Sequence, residues 1–149
     1  MNKKQILEKA FTGVFNQGQA AFNGSSTNFI ITSGNKVLKD PIGHILSDED
    51  VLKLKGNTIP LPSRVEPATV DFTKYTNDVG FLDQLVTLHD SLAFEAYDKT
   101  DFLEGFANEV YMLARDMKMN TRFIKNAVID YNLHAADNKK KQLKVSFKL

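Results

Sequence analysis

Residues 100–119 have the sequence TDFLEGFANEVYMLARDMKM and form the clearest amphipathic pattern in the chain. At about 100° per residue, their apolar side chains share one arc and most charged side chains lie outside it. This distribution is typical of a helix with one face in a core. Thr100 or Asp101 is the predicted N-cap, and Asp101 with Glu104 resembles a capping box. The apolar positions are Phe102, Leu103, Phe106, Ala107, Val110, Leu113, Ala114 and Met117.

A second amphipathic helix is predicted just before this one, over Phe81–Glu95, with Asn77 or Asp78 as its cap. The link between the two passes through Asp98 and is short, which predicts an antiparallel helix pair. The apolar face of this second helix contains Phe81, Leu82, Leu85, Val86, Leu88, Leu92 and Ala93.

Three further helices follow from the same signals. Lys3–Gln17 has apolar residues at helical spacing and a stop at Gly18. A short helix is predicted from Ser47 or Asp48 to Lys55, and another from Asn120 or Thr121 to about Tyr131. Prolines predict an irregular connection over Gly56–Lys74.

Two stretches have strand patterns. Asn28–Thr32 and Lys36–Lys39 flank Ser33-Gly34-Asn35, which predicts a hairpin. Near the C-terminus, Leu143, Val145, Phe147 and Leu149 alternate with polar residues, which predicts an edge strand added to that hairpin. A disordered basic tail is the alternative. We therefore predict a mostly helical α+β domain over residues 1–137, followed by a basic strand or tail over 138–149.

Composition and charge exclude several classes of site. Five lysines and no acidic residue fall within Asn138–Leu149, which leaves 14 basic and 18 acidic residues, a net charge of −4, for the rest of the chain. This acidic body argues against a broad phosphate-binding surface. The absence of cysteine excludes disulfides and thiolate metal sites. No apolar run approaches the length of a membrane span, and the charged start Met1–Lys9 predicts no signal peptide.

Two segments carry a resemblance to a known family. One contains Gly34, Leu38 and Lys39 and continues through Ile42-Gly43-His-Ile-Leu46-Ser-Asp48-Glu49. The other is Phe81-Leu82 with Leu85 and Leu88-His89-Asp90. Together they resemble small uncharacterised proteins of phages and bacteria over about Lys3–Lys118. In that family an N-terminal helix precedes a Leu-Tyr-Arg-Gly turn, a Lys-Cys-Ala-Val-Gly segment, a Leu-Ile-Pro-Asp-Glu helix start and a Leu-x-x-x-His-Asp helix.

This chain departs from the family's pattern at both of its cysteine positions. Asp40 and His44 stand where the family has cysteines, and Thr32 and Ser33 replace the Tyr and Arg of the turn. A thiol-based role therefore does not carry over. The resemblance implies a small cytosolic, virus-encoded accessory protein and no catalytic residues.

The titratable residues do not form a recognisable catalytic or metal-binding pattern. His89 falls within an apolar face, which favours a buried, hydrogen-bonded structural histidine over a ligand or a base. His44 is predicted to be near the surface. Asp83 and Asp90 are seven residues apart, which predicts one shared face on a helix. We expect no catalytic residue, no metal and no cofactor, and an enzyme is the least favoured class.

A protein partner is the favoured prediction for function. Gly105, Met112 and Met119 recur every seven residues on a second face of residues 100–119, which indicates a contact with another helix of the chain, with a protein partner or with a second copy. The predicted partner-binding residues are Met112, Met119, Asp83 and Asp90. The alternative is nucleic-acid association through the basic residues Lys139, Lys140, Lys141, Lys144 and Lys148. No membrane contact is predicted, and the expected location is the cytoplasm, that of the host if the protein is viral.

Overall fold

The computed structural model describes residues 1–149 and contains six α-helices and one hairpin. The predicted α+β class, mostly helical with a small antiparallel sheet, is confirmed. The helices are α1 (Lys3–Gln17), α2 (Pro41–Ile45), α3 (Asp48–Lys53), α4 (Val79–Glu95), α5 (Lys99–Asp116) and α6 (Arg122–Asp137). The strands are β1 (Ile30–Ser33) and β2 (Lys36–Lys39).

The predicted pairing of α4 with α5 is confirmed. The Leu92 side chain packs directly over Gly105, where an added Cβ would lie only 2.9 Å from Leu92 Cδ2. Leu88, one turn earlier on α4, and Glu109, one turn later on α5, line one groove, as expected for antiparallel helices. The shared interior continues into α1 and α6 through four stacked or edge-on rings: Phe11, Phe102, Phe106 and Phe123.

Helix α1 has the predicted bounds, and local chemistry explains both ends. Asn2 and Gln5 form a reciprocal capping box at its start. Gly18 ends it with a positive φ of 83°, which a residue without Cβ adopts at no cost. Next to α1 lies α2, whose His44 side chain covers Gly13 of α1.

Helix α2, which no sequence signal above predicted, begins at Pro41 directly after β2 and Asp40. Proline is well suited to the first turn of a helix because its missing N–H would have no helical partner there. Asp40 caps the helix by accepting hydrogen bonds from the amides of Ile42 and Gly43 at 2.9 and 2.8 Å. The short helix is almost wholly buried, so Asp40 is drawn into the interior with it.

The C-terminal segment does not extend the sheet, which has only two strands. Instead it lies against α5 and α6. The amides of Leu143, Lys144 and Ser146 donate to side-chain oxygens of Asn132, Glu104 and Asn108 at 2.6, 2.9 and 2.8 Å. The prediction of a strand on the hairpin is therefore wrong, and the segment is not a free tail either.

The alternation in this segment has a different physical origin from the one predicted. Leu143 is 4% exposed, and Val145 and Phe147 pack against the core. Phe147 also stacks on Tyr111 of α5 with ring centroids 4.1 Å apart. Apolar side chains thus alternate because one side of an extended segment faces two helices, not because the segment pairs with a strand.

Several helix boundaries also differ from prediction by a few residues, among them the start of α5 and the end of α6. Helix α5 starts at Lys99, because Asp98 rather than Thr100 or Asp101 accepts the capping hydrogen bond, from the Asp101 amide. Helix α6 continues past Tyr131 to Asp137. The connection over residues 56–74 contains two short 3₁₀ turns, Pro62–Arg64 and Phe72–Lys74. None of the helices is both long and apolar enough to span a bilayer.

Candidate functional site

One hollow lies between the exposed faces of α4 and α5, and we call it the acidic groove. Its volume is about 610 Å³. Leu61, Leu88 and Leu92 supply its apolar surface, whereas all of its charged lining residues are acidic. The acidic residues are Asp83, Glu95 and Glu109. A smaller hollow of about 300 Å³ continues the groove along α5 and adds Asp101 and Glu104.

Asp83 fixes one wall of the acidic groove. Its Oδ1 accepts a hydrogen bond from the Ser63 amide at 3.0 Å, and its other oxygen accepts one from the Ser63 hydroxyl. These bonds tie the Pro62–Arg64 turn to α4, which places Leu61 beside the groove. Asp83, predicted as a partner-binding residue, therefore lies in a hollow and also shapes it.

The two predicted methionines have different surroundings. Met112 is 46% exposed and lies one turn beyond Glu109 on α5. Met119 follows the end of α5 and packs against the core. Gly105, the third member of the seven-residue series, is covered by Leu92. The series is thus divided among a helix contact, a surface position and a core contact.

Asp90 lies away from the acidic groove although it shares a helix with Asp83. It lines a separate hollow of about 370 Å³, which we call the polar cavity, together with Asp40 and Val86. Residues of the loops before β1 and after α3 complete the lining, among them Thr27, Asn57 and Thr58, and no basic residue is included. The fold therefore brings Asp40 and Asp90 together, which no local sequence pattern indicated.

His89 holds Asp90 in place from inside the core. The histidine is fully buried, and its Nε2 lies 3.1 Å from the Ala21 amide that donates to it. Because Nε2 is an acceptor there, the ring proton is on Nδ1, which donates to Asp90 Oδ1 at 2.8 Å. The predicted burial and hydrogen bonding of His89 are confirmed, and both ring nitrogens are engaged within the protein.

Burial changes the acid–base behaviour of two side chains in this region. Desolvation, together with the nearby Asp90 carboxylate, raises the pKa of Asp40 to about 8 against the opposing effect of the hydrogen bonds from the Gly43 and Ile42 amides. Burial, with the charge of Lys39, lowers the pKa of His44 to about 4. His44 is half-buried rather than at the surface, with Nε2 3.1 Å from Gln17 Oε1.

The predicted nucleic-acid-binding lysines are all at the surface. Lys139, Lys140, Lys141, Lys144 and Lys148 are exposed. The backbone that carries them is held to Asn132, Glu104 and Asn108 by the hydrogen bonds from Leu143, Lys144 and Ser146. The segment thus presents its lysines from an anchored backbone.

Comparisons with protein-family models, with curated proteins and with solved structures give no match to this chain. No group of three or more His, Asp or Glu side chains is arranged to hold a metal ion.

Asp40 is the residue that sequence reasoning missed as a site residue. The signal available was an Asp directly before a proline and a run of apolar residues, which is a helix-cap pattern. That pattern predicts the hydrogen bonds to the backbone. It does not predict burial, or a carboxylate partner fifty residues later.

Proposed function

We propose that this chain is a small non-enzymatic accessory protein that acts by binding a basic, amphipathic segment of a host or viral protein in the acidic groove. The observation that supports the proposal is the groove's lining, with leucines inside and only acidic charges around them. The phage origin and the host-cytoplasm setting of this proposal rest on the family resemblance alone.

The chemistry of the acidic groove favours this kind of partner. Leucines that are half-buried in the free protein gain further burial when an apolar side chain covers them. Acidic residues at the edge attract a basic partner and disfavour an acidic one. Met112 is exposed one turn from Glu109 but does not line the groove, so the proposal does not depend on it. Asp90 and Met119 are placed elsewhere, so this proposal does not use them.

The test is binding of a synthetic amphipathic peptide of leucine and lysine, measured by fluorescence anisotropy. The double variant Glu95→Lys, Glu109→Lys reverses two exposed charges that make no hydrogen bond or ion pair within the protein. We expect it to weaken binding by about tenfold or more because opposite charges are replaced by like charges.

The matched control is Asp130→Lys, Asp137→Lys, which makes the same charge change on the exposed side of α6. It should retain most of the affinity, and a peptide with glutamate in place of lysine should not bind. Equal weakening in both double variants would show that net charge alone attracts the peptide, and this would contradict the proposal.

The alternative function is nucleic-acid association through the C-terminal lysines, and their anchored backbone favours it. Neutralising phosphates releases counterions, so affinity for a DNA duplex should fall steeply with salt. Replacing Lys139, Lys140 and Lys141 by glutamine should reduce the affinity for DNA. It should also reduce the slope of a plot of the logarithm of affinity against the logarithm of salt concentration. The acidic-groove variants should leave DNA binding no weaker than in the unaltered protein.

A further inference from the structure

The polar cavity is separate from the acidic groove, and it is lined by two carboxyl groups that are each hydrogen-bonded through one oxygen. In Asp40, Oδ1 accepts both amide hydrogen bonds, and Oδ2 accepts none from the protein. In Asp90, Oδ1 accepts the His89 bond, and Oδ2 likewise accepts none. In each side chain, Oδ1 is hydrogen-bonded within the protein, and Oδ2 is left without a hydrogen-bond partner.

The free oxygen of Asp40 is the more informative of the two. The residue is 1% exposed, yet it lines the cavity, and no fully enclosed side-chain oxygen or nitrogen of this protein lacks a hydrogen-bond partner. Oδ2 therefore reaches the cavity space. A carboxyl oxygen that has no hydrogen-bond partner in the protein and reaches a cavity is available to water or to a ligand there.

We propose that the polar cavity binds a small organic cation with a guanidinium group, held between the free oxygens of Asp40 and Asp90. No basic side chain lines the cavity to occupy that position. The planar guanidinium directs several N–H donors at separate acceptors and is weakly hydrated, so it enters a recessed site at lower cost than an ammonium. The polar residues Thr27, Thr58 and Asn57 also line the cavity.

Binding of the cation includes a defined proton balance. Because the pKa of Asp40 is about 8 in the free protein, its carboxyl is mostly protonated at neutral pH. A guanidinium beside it favours the ionised form, so Asp40 releases one proton to solvent as the cation binds. The titratable groups on the surrounding elements are Lys39, His44, His89 and Asp90, and of these Asp90 raises the pKa of Asp40.

The experiment is titration calorimetry of the full chain with N-butylguanidinium, with N-butylurea as its neutral analogue of nearly the same shape. We expect saturable binding of the guanidinium at one site and no measurable binding of the urea. Affinity should rise about tenfold per pH unit below the Asp40 pKa and become constant above it. At neutral pH, the heat should vary with the ionisation enthalpy of the buffer in proportion to one released proton.

The variants Asp40→Asn and Asp90→Asn keep an oxygen for the existing hydrogen bonds but cannot ionise. Each should weaken binding by about tenfold or more, and Asp40→Asn should also abolish proton release. Asp130→Asn removes an exposed carboxylate of α6 that lines neither hollow; it is the matched control and should bind as the unaltered protein does.

Three outcomes would overturn the proposal. The first is binding of N-butylurea as tight as that of N-butylguanidinium, and the second is an unchanged affinity for the guanidinium in a folded Asp40→Asn variant. The third is binding of Mg²⁺ or Ca²⁺ by a protein that does not bind the guanidinium. Proton release is measured on the unaltered chain, so the test does not depend on the variants folding. Failure of the acidic groove to bind the amphipathic peptide would leave all of these results unaffected, because the two hollows share no lining residue.

Discussion

Asp40 and Asp78 start helices α2 and α4 in the same way, yet their carboxyl groups behave in opposite ways. Asp40 accepts hydrogen bonds from the Ile42 and Gly43 amides, and Asp78 accepts one from the Phe81 amide, in each case from its own helix. Asp40 is 1% exposed, and burial raises its pKa to about 8. Asp78 is nearly half-exposed, and a hydrogen bond from Lys3, 3.1 Å away, lowers its pKa.

The comparison shows that a cap residue's role is set by the burial of the helical turn that it starts. Asp40 precedes Pro41, Ile42 and Gly43, which are all buried, so the first turn of α2 lies within the core. Asp78 precedes Val79 and Gly80, which remain at least partly accessible. The first carboxyl faces a cavity as a buried acid, and the second is a surface anion.

The largest expected effect comes from the glycines of these two first turns. In Gly43→Ala, the new Cβ would lie 2.2 Å from the Phe29 carbonyl oxygen, so α2 would be displaced together with the Asp40 cap. We expect a loss of roughly 3 kcal/mol in the free energy of unfolding, measured by urea denaturation.

Gly80→Ala is the matched control for that variant. Its nearest neighbouring atom, an oxygen of Asp78, lies at 3.5 Å, which is ordinary contact. Alanine should stabilise this exposed helical position by about 0.5–1 kcal/mol. A Gly43→Ala protein as stable as the Gly80→Ala protein would show that the α2 turn is not closely packed and would remove the basis of the comparison.

The next effect concerns the pH dependence of stability. The folded protein holds a proton on Asp40 that the unfolded chain gives up near the ordinary pKa of 3.8, so this group makes stability fall as pH rises towards about 8. The slope is at most about 1.4 kcal/mol per pH unit. The Asp40→Asn variant should lack this contribution to the pH dependence of the free energy of unfolding.

The measurement is most direct between about pH 6.5 and pH 8. His44, with its pKa lowered from 6.5 to about 4, contributes a slope of the opposite sign below that range, because the unfolded chain binds the extra proton there. Urea denaturation of the two proteins across the range should give a falling stability for the unaltered chain and a flatter one for Asp40→Asn. Parallel curves would show that Asp40 is not a buried acid.

The smallest effect is expected at Asp78. Its lowered pKa gives a contribution to stability that is present above the ordinary value of 3.8 and is lost as pH falls through the folded pKa. Lys3→Gln should reduce the extra loss of thermal stability on acidification to about pH 3, and high salt should do the same in the unaltered protein. If Lys3→Gln changes the melting temperature equally at all pH values, the ion pair does not set the Asp78 pKa.

Local signals predicted most of the helices and strands. Gly18, Asp78 and Ser47 mark helix ends by hydrogen bonds or dihedral angles that involve residues within four positions, so reading along the chain was sufficient. The hairpin followed from Gly34, whose φ is 61°. Of the residues that line the two hollows, Asp83 and Asp90 were predicted as site residues. Asp40 was not, because its place beside Asp90 depends on packing against α4, which is distant in sequence.

The amino-acid order determined which segments are helical, where most of them start, and that the charge divides into an acidic body and a basic end. Those properties depend on side-chain volume, polarity and hydrogen bonds of short range. Only the tertiary structure decided that the C-terminal segment lies on α5 and α6, and that Asp40 and Asp90 share a cavity. Both depend on desolvation and packing between residues far apart in the chain, whose energies arise only when the helices come together.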